Sequence, residues 1–155
     1  MAKVSVGKKV PDFTLPATGD QDISLADLKG KNVAVYFYPK DSTPGCTLEG
    51  QDFRDQINKF RRRKTAILGI SRDSIKSHEN FKAKQGFPFE LLSDADEKVC
   101  RLFDVIKEKN MYGRKVMGIE RSTFLLDAKG VLRREWRKVK VKGHVDEVLE
   151  AISEL

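Results

Sequence analysis

The stretch NVAVYFYPKDSTPGCTLEGQDFRDQINKFRRRKTAILGIS (residues 32–71) places a charged segment between two short apolar runs. The runs at 32–38 and 65–71 are rich in β-branched and aromatic residues, which is typical of strands buried on both faces of a sheet. Between them, apolar residues recur at helical spacing and predict a helix from about Cys46 to Arg62. The stretch therefore predicts a β-α-β unit with parallel strands, and the turn after its first strand lies at a sheet edge where ligands bind.

The C-terminal half adds a hairpin and a closing helix. STFLLD (122–127) and VLRREW (131–136) are separated by AKG and have the lengths of two antiparallel strands. The segment 145–152 has an apolar stripe at helical spacing. The sequence therefore predicts one α/β domain over residues 1–155, with a central mixed β-sheet flanked by helices.

Three segments have weaker patterns. Asp73 is predicted to cap a helix that runs towards Gly86. Ser93 and Asp96 resemble a capping box that opens a further short helix. The segment 107–118 has no clear period and contains two glycines, so we predict a flexible, irregular stretch there.

The composition limits the classes of function and location. The chain has 155 residues, of which 39% are hydrophobic and 34% charged, as in one globular domain. No run approaches the ~20 apolar residues of a membrane span, and the opening residues lack the apolar region of a secretory signal. Two cysteines are too few for a disulfide scaffold. We therefore expect a cytoplasmic protein that keeps its thiols reduced and does not act at a membrane.

The net charge of +7 raises the question of a nucleic-acid partner. The basic clusters KFRRRK (59–64) and RREWRKVKVK (133–142) follow helical and alternating patterns, which favours solvated faces. No nucleic-acid motif accompanies them, so we expect no nucleic-acid partner. His78 and His144 have no Cys, Asp or Glu at ligand spacing and are placed on polar helix segments. We expect neither a metal nor a cofactor.

Cys46 follows Pro44 and Gly45 at the start of the predicted helix. A thiol in the first turn faces unpaired N–H groups and the positive end of the helix dipole, which favour the thiolate over the thiol. Thr43 can direct its hydroxyl to the same point, and Pro39 with Pro44 restricts the turn at both ends. From these residues alone, a small side chain that fills a helix start is the better explanation of the cysteine.

The segment YPKDSTPGCTLEGQDFRD (38–55) contains the PxxxTxxC pattern of the peroxiredoxins at Pro39, Thr43 and Cys46. Its continuation CTLEGQDFRD resembles the branch called bacterioferritin comigratory protein or peroxiredoxin Q. The similarity extends from VGKKVPDFTLP through GFPFELLSD to the C-terminal helix. This resemblance implies a thioredoxin-like fold and a thiol-dependent peroxidase in which Cys46 is the peroxidatic cysteine.

The resemblance also assigns a cation and an acid. By position, Arg121 in IERSTF is the arginine that helps to hold the thiolate and polarises the peroxide. A guanidinium always carries its charge, so it suits both tasks. Glu49 stands three residues after Cys46 and has either a capping and orienting role or a catalytic one. Both roles for Glu49 remain open.

Peroxide attack leaves a sulfenic acid, which a second thiol must resolve. Relatives carry a resolving cysteine at positions that hold Gln51 and Lys82 in this chain. Cys100 stands beside Val99 and Phe103 on a predicted buried helix face, where packing is the favoured explanation. We therefore predict a one-cysteine mechanism resolved by glutathione, glutaredoxin or thioredoxin. Resolution by Cys100 is the alternative.

Two other classes of function compete with the peroxidase. A thioredoxin-like disulfide reductase needs a CxxC pair, but Glu49 occupies the second position, so Cys100 would have to be the partner. A basic interaction module or holdase would use the charged faces instead. Among peroxidase substrates, hydrogen peroxide, small organic hydroperoxides and lipid hydroperoxides all remain open. We expect a monomer.

Overall fold

The computed structural model describes residues 3–155, which form strands, five α-helices and a 3₁₀ turn. The strands are β1 (Thr14–Ala17), β2 (Gln21–Ser24), β3 (Asn32–Phe37), β4 (Thr65–Ser71), β5 (Glu90–Ser93), β6 (Ile106–Met111), β7 (Arg114–Ile119), β8 (Ser122–Leu126) and β9 (Leu132–Trp136). The helices are α1 (Pro44–Asp55), α2 (Ile57–Arg62), α3 (Ile75–Gln85), α4 (Lys98–Leu102) and α5 (His144–Ile152). The 3₁₀ turn covers Leu25–Leu28.

Seven strands form one mixed sheet in the order β2-β1-β5-β4-β3-β8-β9. Strands β3 and β4 are parallel, with Val35 opposite Leu68, and β5 continues the parallel part. Strand β8 pairs antiparallel with β3 and with β9. The predicted β-α-β unit, the hairpin β8–β9 and the mixed sheet are confirmed.

The sheet separates two apolar layers. The side chains of β3 alternate between the two faces. Val33, Val35 and Phe37 pack on one face, and Ala34 and Tyr36 pack on the other. Cys100 belongs to the layer of Val33, whereas Cys46 belongs to the layer of Ala34. The predicted apolar stripe of α5 packs in the second layer, beside α1. The two cysteines therefore lie on opposite faces of the sheet.

The prediction of one helix from Cys46 to Arg62 is wrong at Gln56, where α1 ends and α2 begins. The backbone of Gln56 has φ −106° and ψ 9°, and its N–H donates to the carbonyl three residues earlier. Its side-chain amide donates to Asp146 Oδ1 in the first turn of α5, at 3.1 Å. The spacing of apolar residues along the sequence does not reveal this contact with another helix.

The predicted cap of α3 is one residue too early. Ser74 is the cap, because its Oγ accepts a hydrogen bond from the Ser77 N–H at 3.2 Å. The Asp73 carboxylate instead accepts from Ser71 Oγ and from the Asp41 N–H, at 2.6 and 2.9 Å. As predicted, the helix runs to Gly86, and this glycine adopts the left-handed conformation.

The capping box predicted from Ser93 and Asp96 is also wrong. The Ser93 hydroxyl donates to the Asp73 carbonyl at 2.6 Å, away from α4. The buried Asp94 carboxylate accepts from the N–H groups of Val99 and Cys100. Asp94 therefore accepts the hydrogen bonds at the start of α4, although it does not belong to the Ser93–Asp96 pair predicted to do so.

The segment 107–118 is a hairpin, so the prediction of an irregular stretch is wrong. Strands β6 and β7 pair antiparallel from Ile106 opposite Ile119 to the turn at Tyr112 and Gly113. Both turn residues have positive φ, as a two-residue type I′ turn requires. Most side chains of the hairpin are exposed or half-buried, so no apolar alternation marks its strands. Among residues 3–155, no helix is long and apolar enough to span a bilayer.

Candidate active site

Cys46 lies in the first turn of α1, at the end of the turn that follows β3. Its side chain is 2% exposed. The N–H groups of Gly45 and Cys46 have no hydrogen-bond acceptor within residues 3–155, and the cap residue Thr43 makes no side-chain hydrogen bond to the helix. The sulfur therefore lies at a helix start whose unpaired N–H groups favour negative charge.

Arg121 reaches this helix start from the connection between β7 and β8. Its Nη2 lies 3.5 Å from Cys46 Sγ, and its Nη1 donates to Glu49 Oε1 at 2.7 Å. Glu49 and Cys46 are both in α1, so one guanidinium spans the sulfur and the carboxyl group. The structure thus brings together three of the five residues selected from the sequence.

Glu49 is fully buried, and its Oε2 has no hydrogen-bond partner within the described chain. Burial raises the pKa of Glu49 to about 7, because an ionised carboxyl group loses its hydration there. Arg121 acts in the opposite direction but does not cancel the effect of burial. Glu49 therefore changes charge near neutral pH, one helical turn from Cys46.

Thr43 and Pro39 line the turn but do not contact the sulfur by a hydrogen bond. The Thr43 hydroxyl donates to the Lys40 carbonyl at 2.7 Å, so its proton points into the turn. Its oxygen keeps a free lone pair for a donor from a bound molecule. Pro39 is half-buried at the end of the strand segment. The roles predicted for Thr43 and Pro39 remain predictions.

Cys100 has the opposite electrostatic surroundings. The thiol is fully buried, and burial together with the nearby Asp94 carboxylate raises its pKa far above the ordinary range of a cysteine. The sheet stands between Cys100 and Cys46. This arrangement agrees with the packing role favoured for Cys100.

His78 lies in α3 and His144 begins α5, as the assignment to helix segments predicted, and both side chains are buried. His144 Nε2 lies 2.7 Å from Thr123 Oγ1, and burial lowers the pKa of His144 to about 4. His78 forms two hydrogen bonds, from Nδ1 to Asp41 at 2.7 Å and from Nε2 to the Leu92 carbonyl at 2.9 Å. His78 lies beside Tyr38 and His144 beside Trp136, both from other parts of the chain, so the local sequence did not indicate burial.

Three side chains have ligand atoms within 4.8 Å of one another, which is close enough to hold a cation: Asp41, Asp73 and His78. Each of them already forms hydrogen bonds within the protein. His78 is hydrogen-bonded to Asp41 and to the Leu92 carbonyl, and Asp73 accepts a hydrogen bond from the Asp41 N–H. We therefore interpret the cluster as a hydrogen-bond network of the turn. Sequence reasoning missed it entirely.

Residues 6–135 match the model of the AhpC/TSA family. Peroxiredoxin Bcp of Xanthomonas campestris pv. campestris is 57% identical over 141 residues, which cover 91% of this chain and 88% of that protein. This chain belongs to the AhpC/TSA family, in its peroxiredoxin Bcp/PrxQ branch. The resemblance inferred from PxxxTxxC is confirmed, and the chain is a peroxiredoxin, a thiol peroxidase.

Solved structures agree with this assignment. A structure of the Xanthomonas campestris bacterioferritin comigratory protein has a TM-score of 0.88 and 56% identity, covering 92% of this chain and 90% of that one. That structure is described as giving insights into the alkyl peroxide reduction activity of that protein. A variant of Xylella fastidiosa PrxQ has a TM-score of 0.93 and 42% identity, covering 99% and 98%. The predicted thioredoxin-like fold is confirmed.

Proposed function

We propose that Cys46 reduces hydroperoxides as a thiolate. The sulfur attacks one oxygen of the O–O bond, that bond breaks, and the other oxygen leaves as an alcohol or water after taking a proton. Cys46 becomes a sulfenic acid, and the peroxide is reduced by two electrons. The observation that carries the proposal is the 3.5 Å contact between Arg121 Nη2 and Cys46 Sγ.

Arg121 has two tasks in this reaction. Its fixed positive charge stabilises the thiolate before attack and the negative charge on the leaving oxygen during attack. Glu49 holds the guanidinium through Nη1, so Nη2 remains directed at the sulfur. The free N–H groups of Gly45 and Cys46 add donors on the same side.

Thr43 and Pro39 complete the proposed pocket. The Thr43 oxygen accepts a hydrogen bond from the peroxide while its hydroxyl continues to donate a hydrogen bond to the Lys40 carbonyl. Pro39 limits the access of water to the reacting atoms. Small peroxides suit a cysteine that is only 2% exposed, and we include alkyl hydroperoxides because the Xanthomonas campestris relative is described by its alkyl peroxide reduction activity.

We propose that an external thiol regenerates Cys46. Gln51 and Lys82 occupy the two positions at which relatives carry a resolving cysteine. Cys100 lies across the sheet from Cys46, and a disulfide requires Cα atoms within ~7 Å. The same separation argues against a disulfide reductase that pairs the two cysteines. Glutathione, glutaredoxin and thioredoxin are the proposed reductants of a monomer in the reducing cytoplasm.

The test measures peroxide consumption by the wild type, Cys46→Ser and Cys100→Ser. Each protein is assayed with hydrogen peroxide and an alkyl hydroperoxide, and separately with glutathione plus glutaredoxin and with thioredoxin. We expect Cys46→Ser to lose all turnover and Cys100→Ser to retain it. Equal turnover by the wild type and Cys46→Ser would refute the peroxidase mechanism, whereas loss in Cys100→Ser with continued Cys46 oxidation would establish Cys100 as the resolving thiol.

A further inference from the structure

The turn that carries the site is tied to the core through one buried carboxylate. Asp41 Oδ1 accepts the Tyr38 hydroxyl at 2.6 Å. Asp41 Oδ2 accepts the Ser77 hydroxyl at 2.8 Å and lies 2.7 Å from His78 Nδ1. Burial raises the pKa of Tyr38, so its hydroxyl keeps the proton that it donates. Three side chains, two of them from α3, therefore converge on one residue of the turn.

The proton positions in this network follow from its acceptors. The Leu92 carbonyl can only accept, so His78 Nε2 carries a proton. At least one further proton lies between Nδ1 and Asp41 Oδ2, because two lone pairs would repel at 2.7 Å. Every polar side-chain atom of the pair thus has a partner. Turning either side chain away would leave a buried polar group unpaired, which is unfavourable.

The network also fixes the backbone that leads to Cys46. The Asp41 N–H donates to Asp73 Oδ2 at 2.9 Å, so Asp41 is held by both its backbone and its side chain. The next residue, Ser42, is left-handed with φ 64°, a conformation that non-glycine residues rarely adopt. Thr43 follows as the cap of α1. A change at Asp41 is therefore transmitted directly to the start of the helix.

We infer that Asp41 and His78 are positioning residues for peroxide reduction, which hold the turn so that Thr43, Cys46 and Arg121 surround the attacked oxygen. The inference rests on the proposed function of Cys46. Neither residue contacts the sulfur by a hydrogen bond in the described chain, so both act through the turn. A misplacement of about 1 Å in a reacting geometry can cost 10²-fold in rate.

The test compares two reactions of Cys46 in single-turnover measurements. Oxidation by hydrogen peroxide needs the arranged pocket, whereas alkylation by iodoacetamide needs only an accessible thiolate. In Asp41→Asn and His78→Gln we expect peroxide oxidation to fall by about 10- to 100-fold. We expect alkylation to stay equal or to rise, because a loosened turn exposes the sulfur. Tyr38→Phe, which removes one hydrogen bond to Asp41, is the milder variant for the case in which Asp41→Asn does not fold.

Asp94→Asn is the matched control. Asp94 is a fully buried carboxylate that also accepts two hydrogen bonds, but it lies with Cys100 on the other face of the sheet. We expect it to lower the thermal unfolding temperature without changing the oxidation of Cys46. The double variant Asp41→Asn/His78→Gln should lose no more rate than the worse single variant, because the pair acts as a unit.

Two results would overturn the inference: an equal fall of both reactions in Asp41→Asn and His78→Gln, or an equal fall of peroxide oxidation in Asp94→Asn. Unchanged peroxide oxidation in Tyr38→Phe and His78→Gln would overturn it as well. The wild-type rate separates this failure from that of the proposed function. If wild-type Cys46 does not react with peroxide, the proposed function fails and the positioning role fails with it.

Discussion

Cys46 and Cys100 occupy matching places in the secondary structure but opposite electrostatic surroundings. Each is the third residue of an α-helix and each is buried. Cys46 lies beside the Arg121 guanidinium, at a helix start whose Gly45 and Cys46 N–H groups have no partner in residues 3–155. Cys100 lies beside Asp94, whose carboxylate accepts the corresponding N–H groups of α4.

The difference teaches that a helix start alone does not surround a cysteine with positive charge. At α4 the positive end of the helix is used by Asp94, and the remaining effect of burial and negative charge raises the pKa of Cys100. At α1 the cap Thr43 donates its proton to Lys40 and leaves the helix N–H groups free. In the proposed mechanism, the reactivity of Cys46 therefore depends on an uncapped helix start together with a neighbouring cation.

The largest expected effect comes from removing that cation. Arg121→Gln should slow the oxidation of Cys46 by hydrogen peroxide by about 10²–10³-fold, the usual cost of losing a donor that stabilises transition-state charge. Arg101→Gln is the control, because Arg101 adjoins Cys100 and forms an exposed ion pair with Glu97. Stopped-flow oxidation rates measure both. Equal rates in Arg121→Gln and the wild type would refute the role of the guanidinium.

The carboxyl group on the Cys46 side should make stability depend on pH. Between about 4.5 and about 7, folded Glu49 retains a proton that the unfolded chain releases, so the free energy of unfolding should fall as the pH rises through this window. The loss is on the order of 3 kcal/mol for a fully buried group. Glu49→Gln should lack this fall, whereas Glu150→Gln, at an exposed position of α5, should keep it.

Urea unfolding at pH 5 and pH 8 measures the Glu49 effect. Parallel stability curves for the wild type and Glu49→Gln over that range would contradict the prediction.

Removing the other thiol should affect stability alone. Cys100→Ser leaves a buried hydroxyl without an assured partner and should lower the free energy of unfolding by about 1–3 kcal/mol. The rate of Cys46 oxidation should not change, because Cys100 lies on the opposite face of the sheet. Thermal unfolding and stopped-flow oxidation on the same sample give both values. A slower oxidation with unchanged stability would be the reverse of what we expect.

The smallest expected effect is a loss of activity without a loss of stability. A Cβ added at Gly45 would lie 2.9 Å from Arg121 Nη2, which is the far end of a flexible side chain. Gly45→Ala should therefore keep the fold but shift the guanidinium, and slow peroxide oxidation roughly tenfold. In Gly118→Ala the nearest atom would be 3.4 Å away, on Lys109, so this variant is the control. Full activity in Gly45→Ala would show that the position of Nη2 does not matter.

The sequence predicted the parts of the fold that have a clear apolar pattern or turn signal. Strands 32–38 and 65–71 are continuous apolar runs, the hairpin β8–β9 has two strand-length segments around AKG, and helix α5 has an apolar stripe at helical spacing. The hairpin β6–β7 escaped prediction because its side chains are largely solvated on both faces. The break at Gln56 escaped prediction because the apolar spacing continues across it, and the contact of Gln56 with Asp146 joins two helices that are distant in sequence.

For the site, local pattern and resemblance contributed different residues. The helix start indicated Cys46, but the choice of Arg121, 75 residues away, came only from the family resemblance. The hydrogen-bond network around Asp41 was missed because its members come from α3, β5 and the end of β3, and the spacing of apolar residues does not mark them. Long-range polar contacts of this kind are set by tertiary structure, so a single sequence does not indicate them.

The most direct test of the comparison is to find which sulfur a peroxide oxidises. The reduced protein is treated with one equivalent of hydrogen peroxide in the presence of dimedone, which traps sulfenic acids, and its peptides are analysed by mass spectrometry. We predict that the adduct forms at Cys46 and that Cys100 remains an unmodified thiol. An adduct at Cys100, or no adduct while the peroxide is consumed, would contradict the account.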